Sequence, residues 1–578
     1  MWTLIFALTG CDRATLEADP PALCEAIVED GEGFFEHPFP HDNRLVDGRA
    51  SYADFPQRDV SLVNNVVEVA ERSFGWSGYG TLYVPFDAPI DTDRLPDLAG
   101  SLGPDSPVQL VPVDPAEGSA VPVHVRWFDA PTSLLPANTL AVRPAWGRGM
   151  RPGVAYELRL SPTIGCTSPD SDGVTIPLTI APNTDLLRDM VTVARAELAD
   201  ASRLGDEFTA ITPPFEGTLA FRGRLTIPRW QQGTVPYATE GGDIALDASG
   251  LPIVDGYDEV DVAFVHPNKE PPAGGWPVLI HLNGTGGSYV LTYLFGGTLA
   301  QGDIAAIGID LPLHGERGVG PAFEAVVNLD NPLASVMSLL QGAADQVWLA
   351  DRIASGVAID TPLGPVPLDP TRIGFQGHSQ GGIHGALAAA HWDGKVKAAM
   401  FSGTGGGTFQ GALFNESTGI DVAGLVGLLF DFVEGETLDD FHPLASLIQH
   451  AADQADPLNT APFWFAEAGL QDRPLPAALV TLGTADPFTP PLTTQAMAHA
   501  AGVPVAFGDY RIPADQVFPP VIDSIPVEEP NAMGFDGSAV TGGIVQYVDG
   551  DHGVGLDDVS RWTAFFETAL LEDAPMIR

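Results

Sequence analysis

The sequence predicts a two-part chain, an antiparallel β-sandwich followed by a mostly parallel α/β sheet flanked by helices. The chain has 578 residues, which is too many for one hydrophobic core. Short alternating runs separated by Pro, Gly and Asp come first, and apolar runs alternating with helical stretches follow. We expect the sandwich over residues 25–183, a connecting helix over 184–208 and the α/β domain over 209–578.

The first part is predicted to be all-β because its apolar residues recur at every second position, as in strands with one buried face. The clearest runs are 80–86, 108–113, 121–128 and 154–160. Nothing in them suggests a reactive group, and His41 is interpreted as a turn residue. After Thr184 the apolar spacing becomes helical, which predicts the connecting helix.

The second part contains continuous apolar runs, as expected of strands that helices cover on both faces. These runs are 277–282, 304–310, 396–401, 478–482 and 544–548. A helical stretch over 332–353 has a suitable length for a crossover between parallel strands. Reactive groups of such a sheet are expected at the carboxyl ends of its strands.

The strongest chemical signal lies in residues 371–390. They read as a buried strand, the turn Gly-His-Ser-Gln-Gly over 377–381 and an alanine-rich helix. Together these are the pattern of a nucleophile elbow, in which a strained turn presents the serine hydroxyl. Glycines flank the serine because a Cβ there would collide with the neighbouring strand or helix. Ser379 is therefore the predicted nucleophile.

A serine hydroxyl needs a general base and a carboxylate that orients this base. In the elbow pattern both follow the serine, the acid first and the histidine second. Asp486 follows the predicted strand 478–482, in the sequence Gly-Thr-Ala-Asp-Pro-Phe-Thr-Pro, and His552 follows the predicted strand 544–548. We predict Asp486 as the acid and His552 as the base.

Other residues compete for these roles. The rivals are His378, His384, His391, His442, His450, His499, Asp453 and Asp456. The side chain of His378 is expected to point away from Ser379 because the two residues are adjacent. The remaining histidines lie in predicted helices or in an insertion, and neither aspartate follows a buried strand.

The negative oxygen that forms during acyl transfer needs two preorganised N–H donors. One is predicted to be the backbone N–H of Gln380, directly after the nucleophile. The other is expected in the glycine-rich loop 283–287, which follows the strand 277–282. Thr285 is the predicted donor of this loop, with Gly284 and Gly286 as alternatives.

The triad candidates and the loop at Thr285 together resemble the α/β-hydrolase superfamily. The sandwich ahead of them, with Phe-Pro-His-Asp at 39–42 and Leu-Pro-Ala-Asn-Thr at 135–139, resembles the immunoglobulin-like module of bacterial extracellular lipases and esterases. The sequence Asp-Leu-Pro-Leu-His-Gly at 310–315 resembles a segment that borders the site in dienelactone-hydrolase-like esterases. His314 within it is interpreted as structural or as a wall of the pocket.

This resemblance implies a serine carboxylester hydrolase, a lipase or esterase that works through an acyl-enzyme without a metal or organic cofactor. Two alternatives stay open: a serine peptidase of the same superfamily, and a non-catalytic surface or adhesion protein. An insertion over 407–476 contains the apolar run 420–433. It is interpreted either as a cap over an acyl-binding cleft or as an ordinary extra helical layer.

The net charge of the chain limits which molecules it is expected to bind. Acidic residues outnumber basic ones by 75 to 27, giving a formal net charge of −48. Nucleic acid is therefore excluded as a partner, because its phosphates would be repelled. The expected partner is a small-molecule or lipid ester.

The N-terminal residues predict export. An apolar run over 2–8 precedes Leu8-Thr9-Gly10-Cys11, which resembles the lipobox of bacterial lipoproteins, although the usual basic residues are missing. We expect a cell-envelope lipoprotein anchored through Cys11, or a secreted protein. The alternatives are a translation start placed a little late and an ordinary buried N-terminal segment. Cys24 and Cys166 would then be available for a disulfide, or remain free buried thiols.

Overall fold

The structure, a computed structural model, describes residues 33–161, 164, 173–197, 204–407, 411, 415–416, 422–464, 477–507, 529–533 and 539–578. The predicted lipobox at Cys11 and the predicted pair of Cys24 and Cys166 lie outside these residues and stay predictions.

The first part of the chain, residues 33–183, is called the N-terminal module below. Its strands are β1 Leu45–Val46, β2 Arg49–Ala50, β3 Leu82–Pro85, β4 Val108–Pro112, β5 Val123–Phe128, β6 Thr139–Pro144, β7 Ala155–Leu160 and β8 Val174–Thr179. They form two three-stranded antiparallel sheets, in the orders β3-β6-β5 and β4-β7-β8, and a short β1-β2 pair. Its relation to immunoglobulin-like domains stays a prediction, as do the exact domain limits.

The rest of the chain is built on one large sheet. Its strands are β9 Asp206–Ile211, β10 Thr218–Arg229, β11 Gly256–Pro267, β12 Trp276–Leu282, β13 Ala305–Ile309, β14 Ala358–Thr361, β15 Gly364–His378, β16 Val396–Ser402, β17 Ala477–Gly483, β18 Val505–Phe507 and β21 Gly542–Tyr547. A separate hairpin joins β19 Ala532–Met533 and β20 Ala539–Val540.

Within the described residues the sheet has eleven strands, in the order β18-β21-β17-β16-β15-β12-β13-β11-β10-β9, with β14 paired to β15. All pairs from β18 to β13 along this order are parallel, and β9, β10 and β11 add an antiparallel edge. The predicted mostly parallel sheet is therefore confirmed. Since β15, β17 and β21 run in the same direction, the residues that follow them meet at one edge of the sheet.

Helices cover both faces of this sheet, and other helices lie in the N-terminal module and in the insertion. They are Ser61–Ala70, Asp185–Glu197, Leu291–Ala300, Ala322–Val326, Pro332–Ala354, Gln380–Ala389, Val422–Leu429, Pro443–Ala452, Pro457–Thr460, Pro491–Ala500, Val554–Asp557 and Val559–Leu570. Asn331 caps the long crossover helix by accepting a hydrogen bond from Ala334 N–H at 3.3 Å. Among the helices of the described residues, none is long and apolar enough to cross a bilayer.

The insertion shares a hydrophobic core with the N-terminal module. Its buried apolar residues pack in the same cluster as the aromatic side chains of the module: Phe430, Leu438, Leu444, Ala445, Leu447 and Ala451. Polar contacts reinforce this packing, because Tyr52 Oη lies 2.7 Å from His450 Nδ1 and Arg143 pairs with Asp440 at 3.1 Å. This part of the insertion therefore holds the module against the part of the chain that contains the large sheet.

Asp453 is wholly buried where the insertion meets the module. Burial raises the pKa of Asp453 to about 7, so the folded protein keeps a proton that the unfolded chain releases above pH 3.8. Stability should therefore fall as the pH rises through this window. Asp453→Asn removes the titrating group. We expect the melting temperature of the variant, minus that of wild type at the same pH, to increase from pH 4.5 to pH 8.

Thermal unfolding at several pH values checks this expectation. The exposed Asp105 provides the matched control, because Asp105→Asn changes the same group where solvent surrounds it. A difference between Asp453→Asn and wild type that stays constant across the pH range would contradict the prediction.

Candidate active site

Ser379 lies between β15 and the helix Gln380–Ala389, as the sequence predicts. Its backbone has φ +53° and ψ −122°, a conformation that is strained for a residue with a Cβ. Two hydrogen bonds hold it there: Ser379 N–H donates to Ser402 O at 2.8 Å, and Ser379 O accepts from Ile383 N–H at 3.1 Å. The side chain is half-buried. The turn therefore has the backbone geometry of a nucleophile elbow.

The two glycines of the elbow are needed for the reason that the sequence suggested. A Cβ on Gly377 would lie 2.5 Å from Gly381 O, and a Cβ on Gly381 would lie 2.5 Å from Asn283 O and 2.6 Å from Leu282 O. All of these are backbone atoms, which cannot move aside independently. The close approach brings the loop after β12 against the elbow.

Gly381→Ala is expected to lower the free energy of unfolding by roughly 1–3 kcal/mol, because the new methyl group overpacks this contact. It should also lower kcat by displacing the loop at Asn283. Gly274→Ala is the control, since its nearest atom is the movable end of the Asp369 side chain, 3.3 Å away. Denaturant unfolding measures the change in the free energy of unfolding, and ester hydrolysis measures the change in kcat. If Gly381→Ala and Gly274→Ala gave equal values of both, the overpacking explanation would be refuted.

The predicted acid and base form a hydrogen-bonded pair. His552 Nδ1 lies 2.7 Å from Asp486 Oδ2. The other oxygen, Asp486 Oδ1, accepts from Phe488 N–H at 2.8 Å and from Thr489 N–H at 2.9 Å. Three donors therefore surround the carboxylate and fix its orientation. With the Nδ1 proton directed at Asp486, Nε2 of His552 carries the lone pair that a general base needs.

Two aromatic rings pack against the ring of His552. The ring of Phe488 lies 4.8 Å from that of His552, and the ring of His378 lies 4.7 Å away. The contact of His378 with His552 is not indicated by the sequence pattern, whereas its predicted orientation away from Ser379 stays a prediction. Burial lowers the pKa of His378 to about 4, so it is neutral at pH 7 and places no charge beside His552. Its Nδ1 lies 3.3 Å from Ser402 Oγ.

The end of β16 brings the serine and the histidine together. Ser402 O accepts the hydrogen bond from Ser379 N–H. The next residue, Gly403, packs against His552: a Cβ there would lie 2.8 Å from His552 O and 3.0 Å from its ring. Ser379 and His552 thus contact consecutive residues of one strand end, although 173 positions separate them in the chain, from 379 to 552.

The loop 283–287 lies directly against the serine. A Cβ on Gly284 would lie 2.8 Å from Ser379 Cβ. Gly286 N–H donates to His314 Nε2 at 2.9 Å, so it is not free to bind an oxyanion. Among the described residues, no acceptor is found for the N–H groups of Gly284 and Thr285. Gln380 N–H begins a helix and has no acceptor within it. Thr285 as the second donor stays a prediction.

Four of the other rival histidines have buried surroundings or partners of their own. His442 Nε2 lies 3.2 Å from Glu436 within the insertion, and His450 contacts Tyr52 of the module. His384 and His391 are buried, which lowers the pKa of each to about 3. In the part of the chain that the structure describes, no group of three or more His, Cys, Asp and Glu side chains is placed to hold a metal ion.

Sequence comparison adds no relative: no family model and no curated protein matches the chain. Solved structures are similar to it at low identity. An acetyl xylan esterase from Paenibacillus sp. R4 has a TM-score of 0.37 and 14% identity over 66% of this chain and 93% of its own. Acetyl xylan esterase 1 from Thermoanaerobacterium sp. has the same TM-score and identity over 65% and 92%.

A hyperthermophilic esterase from Pyrobaculum calidifontis has a TM-score of 0.29 and 15% identity over 67% of this chain and 92% of its own. Likeness at this level carries no argument about activity. The fold is instead recognised from the molecule itself: a mostly parallel sheet with an elbow after β15, an aspartate after β17 and a histidine after β21. This is the arrangement of the α/β-hydrolase fold.

Proposed function

We propose that the protein is a serine carboxylester hydrolase in which Ser379 is the nucleophile, His552 the base and Asp486 the residue that orients the base. One observation carries the proposal: His552 Nδ1 lies 2.7 Å from Asp486 Oδ2, beside an elbow that holds Ser379 at φ +53°. A histidine oriented by a carboxylate next to a strained serine is what acyl transfer requires.

The reaction follows from these contacts. His552 Nε2 takes the proton of Ser379 as Oγ attacks the carbonyl carbon of the ester. The negative oxygen is bound by the N–H groups of Gln380 and Thr285, and the helix that begins at Gln380 adds positive potential. The alcohol leaves with the proton from His552. Water then attacks the acyl-enzyme in the same way and releases the acid.

A hydrophobic ester is the proposed substrate. Asn415 Nδ2 donates to Phe488 O at 3.2 Å, and Glu416 N–H donates to Pro487 O at 2.7 Å, so the insertion borders the loop that carries Asp486. Phe488 is 47% exposed beside the ring of His552. The exposed ring of Phe488 supports binding of an acyl chain or an apolar alcohol group beside His552.

Hydrolysis of p-nitrophenyl acetate, butyrate and laurate by the full chain tests the proposal. We expect ester cleavage, and we expect a fluorophosphonate probe to attach to the peptide that contains Ser379. No cleavage above a heat-denatured control, together with no labelling, would end the proposal. The preferred chain length identifies the substrate class.

Action at the cell envelope is a further part of the proposal, supported by the sequence Leu8-Thr9-Gly10-Cys11. The immunoglobulin-like nature of the N-terminal module likewise stays a proposal, supported by its two antiparallel sheets. Membrane association that persists in Cys11→Ser would contradict anchoring through this cysteine.

A further inference from the structure

Two polar side chains from other parts of the chain hold the loop 283–287. One is Gln380, whose backbone N–H is already a proposed oxyanion donor. The other is His314, which lies in the segment after β13. Neither side chain has a role in the chemical steps described above, and both are almost fully buried, with exposures of 4% and 2%.

Gln380 connects the loop to the elbow helix. Thr285 Oγ1–H donates to Gln380 Oε1 at 2.9 Å, and Gln380 Nε2 lies 3.2 Å from His384 Nε2. Burial lowers the pKa of His384 to about 3, so its ring is neutral and its Nε2 accepts from the glutamine. The amide thus accepts on one atom and donates on the other. A carboxylate could not make both hydrogen bonds.

His314 holds the opposite side of the loop. Its Nδ1 lies 2.9 Å from Pro312 O, a pure acceptor, so Nδ1 carries the proton. Its Nε2 is therefore the acceptor for Gly286 N–H at 2.9 Å. Burial lowers the pKa of His314 and keeps the ring in this neutral form. The hydrogen bond also removes Gly286 N–H from the possible oxyanion donors, which leaves Gly284 and Thr285.

We propose that the side chains of Gln380 and His314 are positioning residues that hold the loop 283–287 so that its free N–H groups face the oxyanion formed at Ser379. This inference rests on the proposed function. It explains why a loop of mostly glycine residues can present donors in one fixed orientation: Thr285 is bound on one side and Gly286 on the other. Preorganised donors stabilise the oxyanion without reorganising during the reaction.

Two variants of His314 separate its two hydrogen bonds. His314→Asn can retain the donor to Pro312 O but has no acceptor within reach of Gly286, whereas the longer side chain of His314→Gln places an oxygen near the position of Nε2. We expect His314→Asn to lower kcat for p-nitrophenyl acetate roughly ten- to a hundredfold with little change in KM, and His314→Gln to recover part of this loss.

His266 provides a matched control. It is 6% exposed, its Nδ1 lies 2.8 Å from Pro267 O, and its Nε2 has no hydrogen-bond partner among the described residues. His266→Asn therefore makes the same change in a similar setting away from the loop, and kcat should stay close to the wild-type value. Gln380→Met, which keeps the backbone N–H but neither side-chain hydrogen bond, should behave like His314→Asn.

Inhibition by a trifluoromethyl ketone distinguishes positioning from a general structural role. Ser379 adds to the carbonyl carbon of this probe, its proton passes to His552, and the oxygen becomes an oxyanion. We expect the affinity for the ketone to fall in parallel with kcat across the variants, while the melting temperature stays within a few degrees of wild type.

The possible outcomes are separable. If wild type hydrolyses esters through Ser379 but His314→Asn and Gln380→Met match it, the positioning role is wrong and the proposed function stands. If kcat falls only together with the melting temperature, and His314→Gln recovers neither, the residues are structural and the inference is overturned. If wild type and Ser379→Ala are equally inactive, the proposed function fails and the inference fails with it.

Discussion

Ser379→Ala is expected to lower kcat/KM for p-nitrophenyl acetate by about 10⁴- to 10⁶-fold, because no other group at the elbow can form the acyl-enzyme. The fold should be unaffected, since the backbone hydrogen bonds of Ser379 to Ser402 and Ile383 do not involve the hydroxyl. Labelling by the fluorophosphonate probe should disappear at the same time.

The control for this variant is Ser560→Ala, which removes an exposed hydroxyl near the start of the last helix. Steady-state kinetics and intact-protein mass after labelling are the measurements. Hydrolysis by Ser379→Ala at the wild-type rate would exclude Ser379 as the nucleophile and would favour the inert surface protein or a different site.

Asp486→Asn is expected to lower kcat by about 10⁴-fold at neutral pH. In the wild-type protein, Asp486 Oδ2 accepts a hydrogen bond from His552 Nδ1–H at 2.7 Å. An asparagine amide that donates to Nδ1 would force the proton onto Nε2, where the base must be free. KM should change little, because Asp486 is only 8% exposed.

Asp549→Asn is the matched control for this second variant. Asp549 is exposed and lies shortly before His552, after β21. The pH dependence of kcat, measured for both variants and for wild type, tests whether Asp486 orients His552. An Asp486→Asn enzyme with more than a tenth of the wild-type kcat would mean that another group orients His552.

The experiments on Asp453 and Gly381 test two different contacts in the structure. Asp453→Asn tests a buried carboxyl at the contact between the insertion and the N-terminal module, and its readout is stability. Gly381→Ala tests the contact between the elbow and the loop after β12, and its readouts are stability and activity. Neither result depends on the substrate being identified.

Much of the candidate site could be predicted because its signals are local. The strand, turn and helix around Ser379 follow from residue spacing and from two glycines, and the structure has each of them. Asp486 and His552 were found by their places after apolar strands, and parallel pairing brings these strand ends to one edge. Periodicity of this kind reports which faces of a segment are buried.

Other contacts were beyond prediction because nothing in the local pattern specifies them. The ring of His378 packs on that of His552, because His378 lies beside Ser402 at the end of β16 and His552 packs against the next residue, Gly403. His314 resembled a structural residue, and its hydrogen bond to Gly286 is evident only when the segment after β13 lies beside the loop after β12.

Residue spacing and turn residues were enough to predict the main strands and helices and to choose the three side chains proposed for catalysis. They could not predict the buried polar contacts around those side chains, nor that the insertion packs into the core of the N-terminal module. The physical reason is that hydrophobic periodicity and turn residues act over a few positions, whereas these contacts join residues far apart in the chain. Their partners are selected only when whole elements pack together.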